Sequence, residues 1–392
     1  MHTEQDYYLA WSACPQIGPI RFQHLLKVFG SAKFAWEASE TELRDAGAGG
    51  KWLTTFLHHR QKFDFSQLKS RLKEWGISFL CQTDVGYPKQ LKEINKAPIG
   101  LYVMNNESGS MKTGRRNSQR VSDVRCQWSD VNLLAVVGTR KITSYGRQVT
   151  RTLTQSLVDA GLGIVSGLMY GVDETAHRAC VEAGGYTVGV WAGGLDTLFK
   201  GSRKNLAETV LQADGALVSE FPLGLQPSAQ TFPYRNRIVA GMSCGVLVTE
   251  GSDKSGTLIT AGYGAEQGKE VFAVPGPITS QQSAAPSQLI KAGAKLVTSV
   301  QDILDELPLV GAPLVGAPAS GGAPGAWADT RPAHTNPTTA ESQVLDLLRN
   351  EPLSLDQLSR RLKLPASELG SSLSMMELKG WVGQDGGQWG IN

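Results

Sequence analysis

A chain of 392 residues, 41% hydrophobic and 19% charged, can bury two or three domain cores, and this composition excludes global disorder. A formal net charge of +2 excludes nucleic-acid or membrane binding by bulk charge, so any anion site must come from local arrangement. The five cysteines (Cys14, Cys81, Cys126, Cys180, Cys244) form no CxxC pair, no leader is visible over 1–6 and no apolar run reaches membrane-spanning length; the expectation is a reduced, cytoplasmic protein with no metal site and no membrane partner.

Residues 7–65 read as short helices. Ile17-Gly18-Pro19 precedes Phe22, Leu25, Leu26 and Phe29 at helical spacing, and Gly30-Ser31 ends that helix. A second short helix is expected over 40–46. The turn is similar to those of helix-hairpin-helix and SAM-like modules, whose amides can touch a DNA backbone. Few basic residues surround it, so a small bundle packed on its neighbour is the preferred reading. Phe79-Leu80 can be a strand. The stretch 105–132 is polar and carries Arg115, Arg116, Arg120 and Arg125, which predicts an insertion that is a solvated loop before it is a DNA contact.

From Leu133 onward the pattern becomes regular. Apolar strands are expected over 133–137, 163–166, 187–191, 216–219, 245–249 and 270–274. Helices are expected between them over 144–160, 172–183, 204–213, 236–242 and 257–268. Strands apolar throughout and alternating with helices predict a doubly wound α/β domain, Rossmann-like, with a parallel sheet. The first turn lacks GxGxxG, so a standard NAD site is not expected and no cofactor is assigned. Gly-Ala-Pro recurs at 311–313, 316–318 and 322–324, which predicts a linker over 309–337. Beyond it, helices over 341–350, 355–362 and 366–379, then strands at 380–383 and 388–391 around Asp385-Gly386-Gly387, make a winged-helix pattern. Its third helix holds Ser367, Ser371, Ser372 and Ser374 with Lys379 as its only base, favouring a protein contact or weak DNA role over base reading. The expected division is a helical module over 1–70, the Rossmann-like domain over 71–308, the linker, and the winged helix over 338–392.

Several phosphate-binding patterns fall in the α/β domain. They are Gly138-Thr139-Arg140, Ser166-Gly167-Leu168, Arg235-Asn236-Arg237 and Ser255-Gly256-Thr257. Each follows or faces a strand where a helix is expected to begin, and free N–H groups at a helix start bind phosphate. Together with Gly171-Val172-Asp173, Ala176-His177, Gly193-Gly194-Leu195-Asp196, Ser219-Glu220, Phe232-Pro233 and Val274-Pro275-Gly276, these motifs resemble the DprA/Smf family of DNA-processing proteins over nearly the whole chain. The resemblance implies binding and protection of single-stranded DNA, loading of the RecA recombinase during natural transformation, and a homodimer through the Rossmann-like domain. It implies no enzymatic activity and no catalytic residue. The chain departs from the family in two places. The family's Tyr-Pro pair after Gly-Leu-Asp is replaced by Leu198-Phe199-Lys200-Gly201-Ser202-Arg203-Lys204-Asn205, and the insertion over 105–132 is unfamiliar.

The chemistry assigns these residues as follows. Arg140 sits at the carboxyl edge of the sheet, where its planar fork can hold a phosphate. Arg235 and Arg237 flank Asn236; one can pair internally while the other faces DNA. Lys200, Arg203 and Lys204, with Asn205, are phosphate contacts on the family match and otherwise a solvated charge run. Phe199 can stack on a base or be a buried aromatic. Ser166 and Gly167 are grouped with the phosphate turns. Ser255, Gly256 and Thr257 either offer donors to phosphate or only cap a helix. His177, four residues after Asp173, reads as half of a structural pair. Glu250 follows a strand, as does the acid of related nucleotide hydrolases, but in different spacing. The alternative is therefore a nucleotide-binding or nucleotide-hydrolysing enzyme on the same fold. A winged-helix regulator is weaker.

Overall fold

The computed structural model describes residues 2–105, 128 and 131–307, and within the C-terminal tail 344, 347–348, 353–362, 364, 369, 373, 376, 382–385 and 388–391. Of the insertion expected over 105–132 as a solvated loop, residues 106–127, 129 and 130 lie outside the described residues, while Trp128 is buried and donates its indole N–H to Gly86 O at 3.0 Å. The linker over 309–337 and the serines and Lys379 of the third tail helix also lie outside the described residues. Contacts divide the chain into two compact units, 1–318 and 319–392.

The first unit opens with α1 (Glu4–Ser12), α2 (Pro19–Phe29), α3 (Ala32–Glu37), α4 (Glu40–Asp45), α5 (Gly50–Lys62) and α6 (Phe65–Glu74). Pro19 takes the first helical position of α2, where a missing N–H does no harm, and Gly30 ends α2 at φ 75°. Fully buried Trp11 stacks on Phe56 at 4.5 Å, meets Trp36 edge-on at 5.1 Å and donates its indole N–H to Ala32 O. This aromatic core runs without a break into Phe79, Tyr102, Leu168, Leu195, Leu198 and Leu206 of the α/β part. Each such side chain contributes roughly 1.5–3 kcal/mol by leaving water, so the helices are fixed to the sheet rather than tethered beside it.

The strands β1 (Ser78–Cys81), β2 (Gly100–Asn105), β3 (Leu133–Val137), β4 (Gly163–Gly167), β5 (Thr187–Val190), β6 (Ala216–Ser219), β7 (Gly245–Val248), β8 (Glu270–Ala273) and β9 (Lys295–Leu296) form one sheet. Its order is β1-β2-β6-β5-β4-β3-β7-β8-β9. Strands β3 to β9 run parallel, and β1 and β2 extend the sheet in antiparallel register, with Phe79 opposite Tyr102 and Val103 opposite Val218. Every residue of β3 and β4 is buried, which is why β3 is an unbroken apolar run and the polar residue of β4, Ser166, has its hydroxyl bonded to Val136 O. Between them run α7 (Lys89–Glu93), α8 (Ser144–Asp159), α9 (Val172–Glu182), α10 (Leu195–Leu198), α11 (Lys204–Gln212), α12 (Thr231–Gly241) and α13 (Gly256–Glu266), followed by α14 (Ala284–Lys291) and α15 (Gln301–Leu304). The chain winds outward in both directions from the neighbours β3 and β7, so the strand order reverses between them. Ligands of open α/β sheets bind in the crevice at the carboxyl ends of such a pair.

The second unit has its own core, including Val344, Leu353, Leu358, Leu373, Val382 and Trp389. β10 (Leu353–Ser354), β11 (Val382–Asp385) and β12 (Gln388–Ile391) form a sheet in the order β10-β12-β11, with a helix over Leu355–Leu362. Asp385 pairs with Gln388, so the first hairpin strand continues two residues beyond the Gly383 expected to end it.

Candidate nucleic-acid interface

A cleft of about 580 Å³ opens at the reversal point. The β3–α8 loop supplies Gly138, Thr139, Arg140 and Lys141. The end of β4 supplies Gly167, followed by Met169 and by Asp173 on α9. Phe232, Pro233, Arg235 and Asn236 come from α12, and Ser255, Gly256 and Thr257 from the start of α13. Of the residues assigned from sequence, Gly138, Thr139, Arg140, Gly167, Arg235, Asn236, Ser255, Gly256 and Thr257 thus share one cavity.

Backbone bonds hold its walls together. Thr139 N–H donates to Glu250 O at 2.8 Å, and Val172 N–H donates to Thr139 O at 3.1 Å. The loops approach so closely that a Cβ on Gly171 (φ +82°) would lie 2.2 Å from Thr139 O. Only glycine allows that conformation and that contact without strain. Ser255 caps α13, its Oγ accepting from Thr257 N–H at 3.2 Å, so the cap forms and still faces the cleft.

Arg140 is exposed at the rim, its guanidinium 5.0 Å over the Phe232 ring. Among the described residues no carboxylate lies within ion-pair distance of it. Arg235 forms the floor. It is 4% exposed, donates to Val190 O at 2.6 Å and to Asn236 Oδ1 at 3.0 Å, and lies where a Cβ on Gly167 would be. Burial, aided by nearby Arg140 and opposed by Asp173, lowers Arg235 to about 10, so it stays cationic at neutral pH. Burial raises Asp173 to about 6, against the pull of Arg235.

Asp173 gives the site a pH signature. A carboxyl whose folded value exceeds its unfolded one adds stability below about pH 4 that is lost as pH rises through about 6. Relative to wild type, Asp173→Asn should gain stability as pH is raised across that window. Urea melts of both proteins at several pH values check this; a difference that does not change with pH would refute it.

Other assignments are corrected. Ser166 is fully buried and its hydroxyl donates to Val136 O at 2.6 Å across to β3, so it has no surface for DNA. Arg237 is 2% exposed and pairs with Glu220 away from the cleft. The reason lies in α12, which begins at Thr231 rather than 236 because Pro233 is tolerated in a first turn. Two residues apart on a helix are roughly 200° apart, so Arg235 and Arg237 cannot face one cavity. His177 is bonded through Nδ1 to Thr187 Oγ1 at 2.8 Å rather than to Asp173, and burial lowers it to about 3, keeping it neutral. Glu250 is buried with one oxygen on Thr143 N–H at 2.9 Å and the other on Thr143 Oγ1 at 2.6 Å. The start of α8 therefore faces a carboxylate, not a phosphate site.

The basic run after Gly-Leu-Asp lies apart from the cleft lining. Phe199 is half-buried with its ring 6.3 Å from Trp75, and Lys200 Nζ is 5.7 Å over the same indole. Arg203 pairs with Glu174 at 2.8 Å and lies 3.3 Å over the Tyr170 ring. Lys204 is exposed, 3.7 Å from Glu208, and Asn205 is exposed in the first turn of α11. Sequence reasoning missed Met169 in the lining, Tyr170 beside it and Trp75. All three are apolar or aromatic types that carry no signal until the fold places them.

A family model described as DNA recombination-mediator protein A matches residues 124–308, and one described as the DprA winged helix domain matches residues 328–388. The chain is 31% identical to Protein Smf of Synechocystis sp. over 98% of both chains. It is 38% identical to the DNA processing protein DprA of Bacillus subtilis over 60% of this chain and 73% of that one. The X-ray structure of DNA processing protein A from Streptococcus pneumoniae aligns with a TM-score of 0.64 at 30% identity, covering 79% of this chain and 99% of that one. With a parallel sheet opened at its reversal point and, later in the sequence, a segment matching the family's winged helix, the chain belongs to the DprA/Smf family of DNA-processing proteins.

Proposed function

We propose that this chain is a non-enzymatic mediator that binds and shields single-stranded DNA and hands it to RecA, acting as a homodimer through its Rossmann-like domain. The observation that carries the reading is the cleft itself: Arg140 at the rim with no carboxylate partner among the described residues, Arg235 in the floor, and the first turn of α13 facing in. Such groups address phosphate. The cleft is concave, whereas duplex reading needs a helix or ribbon that protrudes into a groove. The hydrolase alternative is weakened because both oxygens of Glu250 are engaged by Thr143.

Fluorescence anisotropy with labelled oligo-dT tests the reading. Binding should favour single strands over duplex, tolerate sequence and fall steeply with salt. Free mononucleotides should compete poorly. Strong competition with turnover of the nucleotide would favour the enzyme instead. On strands already coated with single-strand binding protein, the chain should shorten the lag before RecA hydrolyses ATP; an unchanged lag removes the loading role.

A further inference from the structure

We propose that Tyr170 is a nucleobase-stacking platform beside the phosphate cleft, an inference that rests on the single-strand reading above. The loop after β4 lines the cleft at Gly167 and Met169, then turns outward at Tyr170, which is 45% exposed. An exposed tyrosine ordinarily samples several rotamers, but this one is held. The Arg203 guanidinium lies 3.3 Å from its ring centroid, and its hydroxyl is 2.8 Å from Ser202 Oγ. Arg203 is fixed in turn: its side chain is 11% exposed and bonded to Glu174, which also pairs with Arg178 at 3.0 Å. One ring face is therefore covered, so the exposure belongs to the other face and the edge.

A ring immobilised before its ligand arrives, with one face open, suits a flat partner, because little side-chain entropy remains to be lost. The surroundings select the kind of flat partner. Lys200 and Lys204 are exposed on the same stretch as Ser202 and Arg203, and Arg140 stands on the adjoining cleft rim. Aromatic platforms flanked by cations fit the alternating bases and phosphates of a single strand, whatever its sequence. The unfamiliar run from Phe199 to Asn205 thereby acquires a role: Ser202 and Arg203 position the ring, with Lys200 and Lys204 on either side of them in sequence.

Anisotropy with oligo-dT tests the platform. Tyr170→Ala should weaken binding about 5- to 100-fold, the effect of one lost base stack. Tyr170→Phe and Tyr170→Trp should stay close to wild type, and Tyr170→Leu should resemble alanine. The salt dependence should keep its slope, because no phosphate contact is lost. On an abasic strand the difference between wild type and Tyr170→Ala should vanish. If Tyr170→Ala, with an unchanged melting curve, binds as wild type does while Arg140→Ala is weakened, the platform is wrong and the single-strand reading stands. Wild-type affinity in Tyr170→Leu, or a full Tyr170→Ala defect on the abasic strand, also overturns stacking. A wild-type protein without preference for single strands removes both proposals.

Discussion

Arg237→Met is expected to destabilise the first unit by about 3–5 kcal/mol while leaving the strand affinity of the folded protein unchanged. The Arg237 side chain is 2% exposed and that of Glu220 9%, and the two are bonded to each other. Removing the guanidinium strands a buried carboxylate, whose affinity for protons burial already raises. The deficit should shrink in acid, because a protonated Glu220 no longer carries the charge that needs a partner. Glu220→Gln combined with Arg237→Met should recover part of the loss, since the remaining buried group is then neutral. Urea melts and oligo-dT anisotropy separate the two effects. A stable Arg237→Met protein with weakened binding would place Arg237 at the DNA after all.

Arg140→Ala is expected to do the reverse. Its guanidinium is exposed, lies over the Phe232 ring face and has no ion-pair partner among the described residues, so the melting curve should barely move. Strand affinity should fall by about 1–3 kcal/mol, the scale of a charge-assisted phosphate bond. The salt slope should drop by about 1, as expected when one phosphate contact is lost. Arg140→Lys should recover only part, because an ammonium cannot reproduce the planar fork. A folded Arg140→Ala protein with unchanged affinity would move the phosphate site elsewhere. The two substitutions are a matched pair, since both residues are arginines assigned to DNA from sequence and the structure separates them by burial, by position relative to the cleft and by the Glu220 partner of Arg237.

Much of the fold was legible in the residues. Strands buried on both faces are mostly apolar, so β3 and β7 stand out as unbroken runs and β4 as a run ending at Ser166. Glycines at loop crossings and serine or threonine caps mark where the helices start. The motifs carry the family resemblance, which holds across the chain. Less was legible at the sheet edge, where β1 pairs antiparallel with β2, and β2 in turn with β6, more than a hundred residues on. The candidate site was legible as residue types, not as directions. Whether Arg235 or Arg237 faces the cleft depends on the phase of α12, and that phase shifted when the helix began five residues early. Ser166, Glu250 and His177 have the chemistry of a site, yet each is consumed by a partner on another strand or loop.

Residue order determined by itself that the chain buries a parallel sheet, that its glycine-rich turns lie at strand ends, and that a second small domain follows. Those features depend on local spacing and on the solvation of each side chain. Only the tertiary structure decided which of the cations remain unpaired, because an arginine reaches phosphate or carboxylate equally well. The choice falls to whichever partner the packing of distant segments brings within bonding distance, as it brings Glu220 to Arg237 and Glu174 to Arg203, and no carboxylate among the described residues to Arg140.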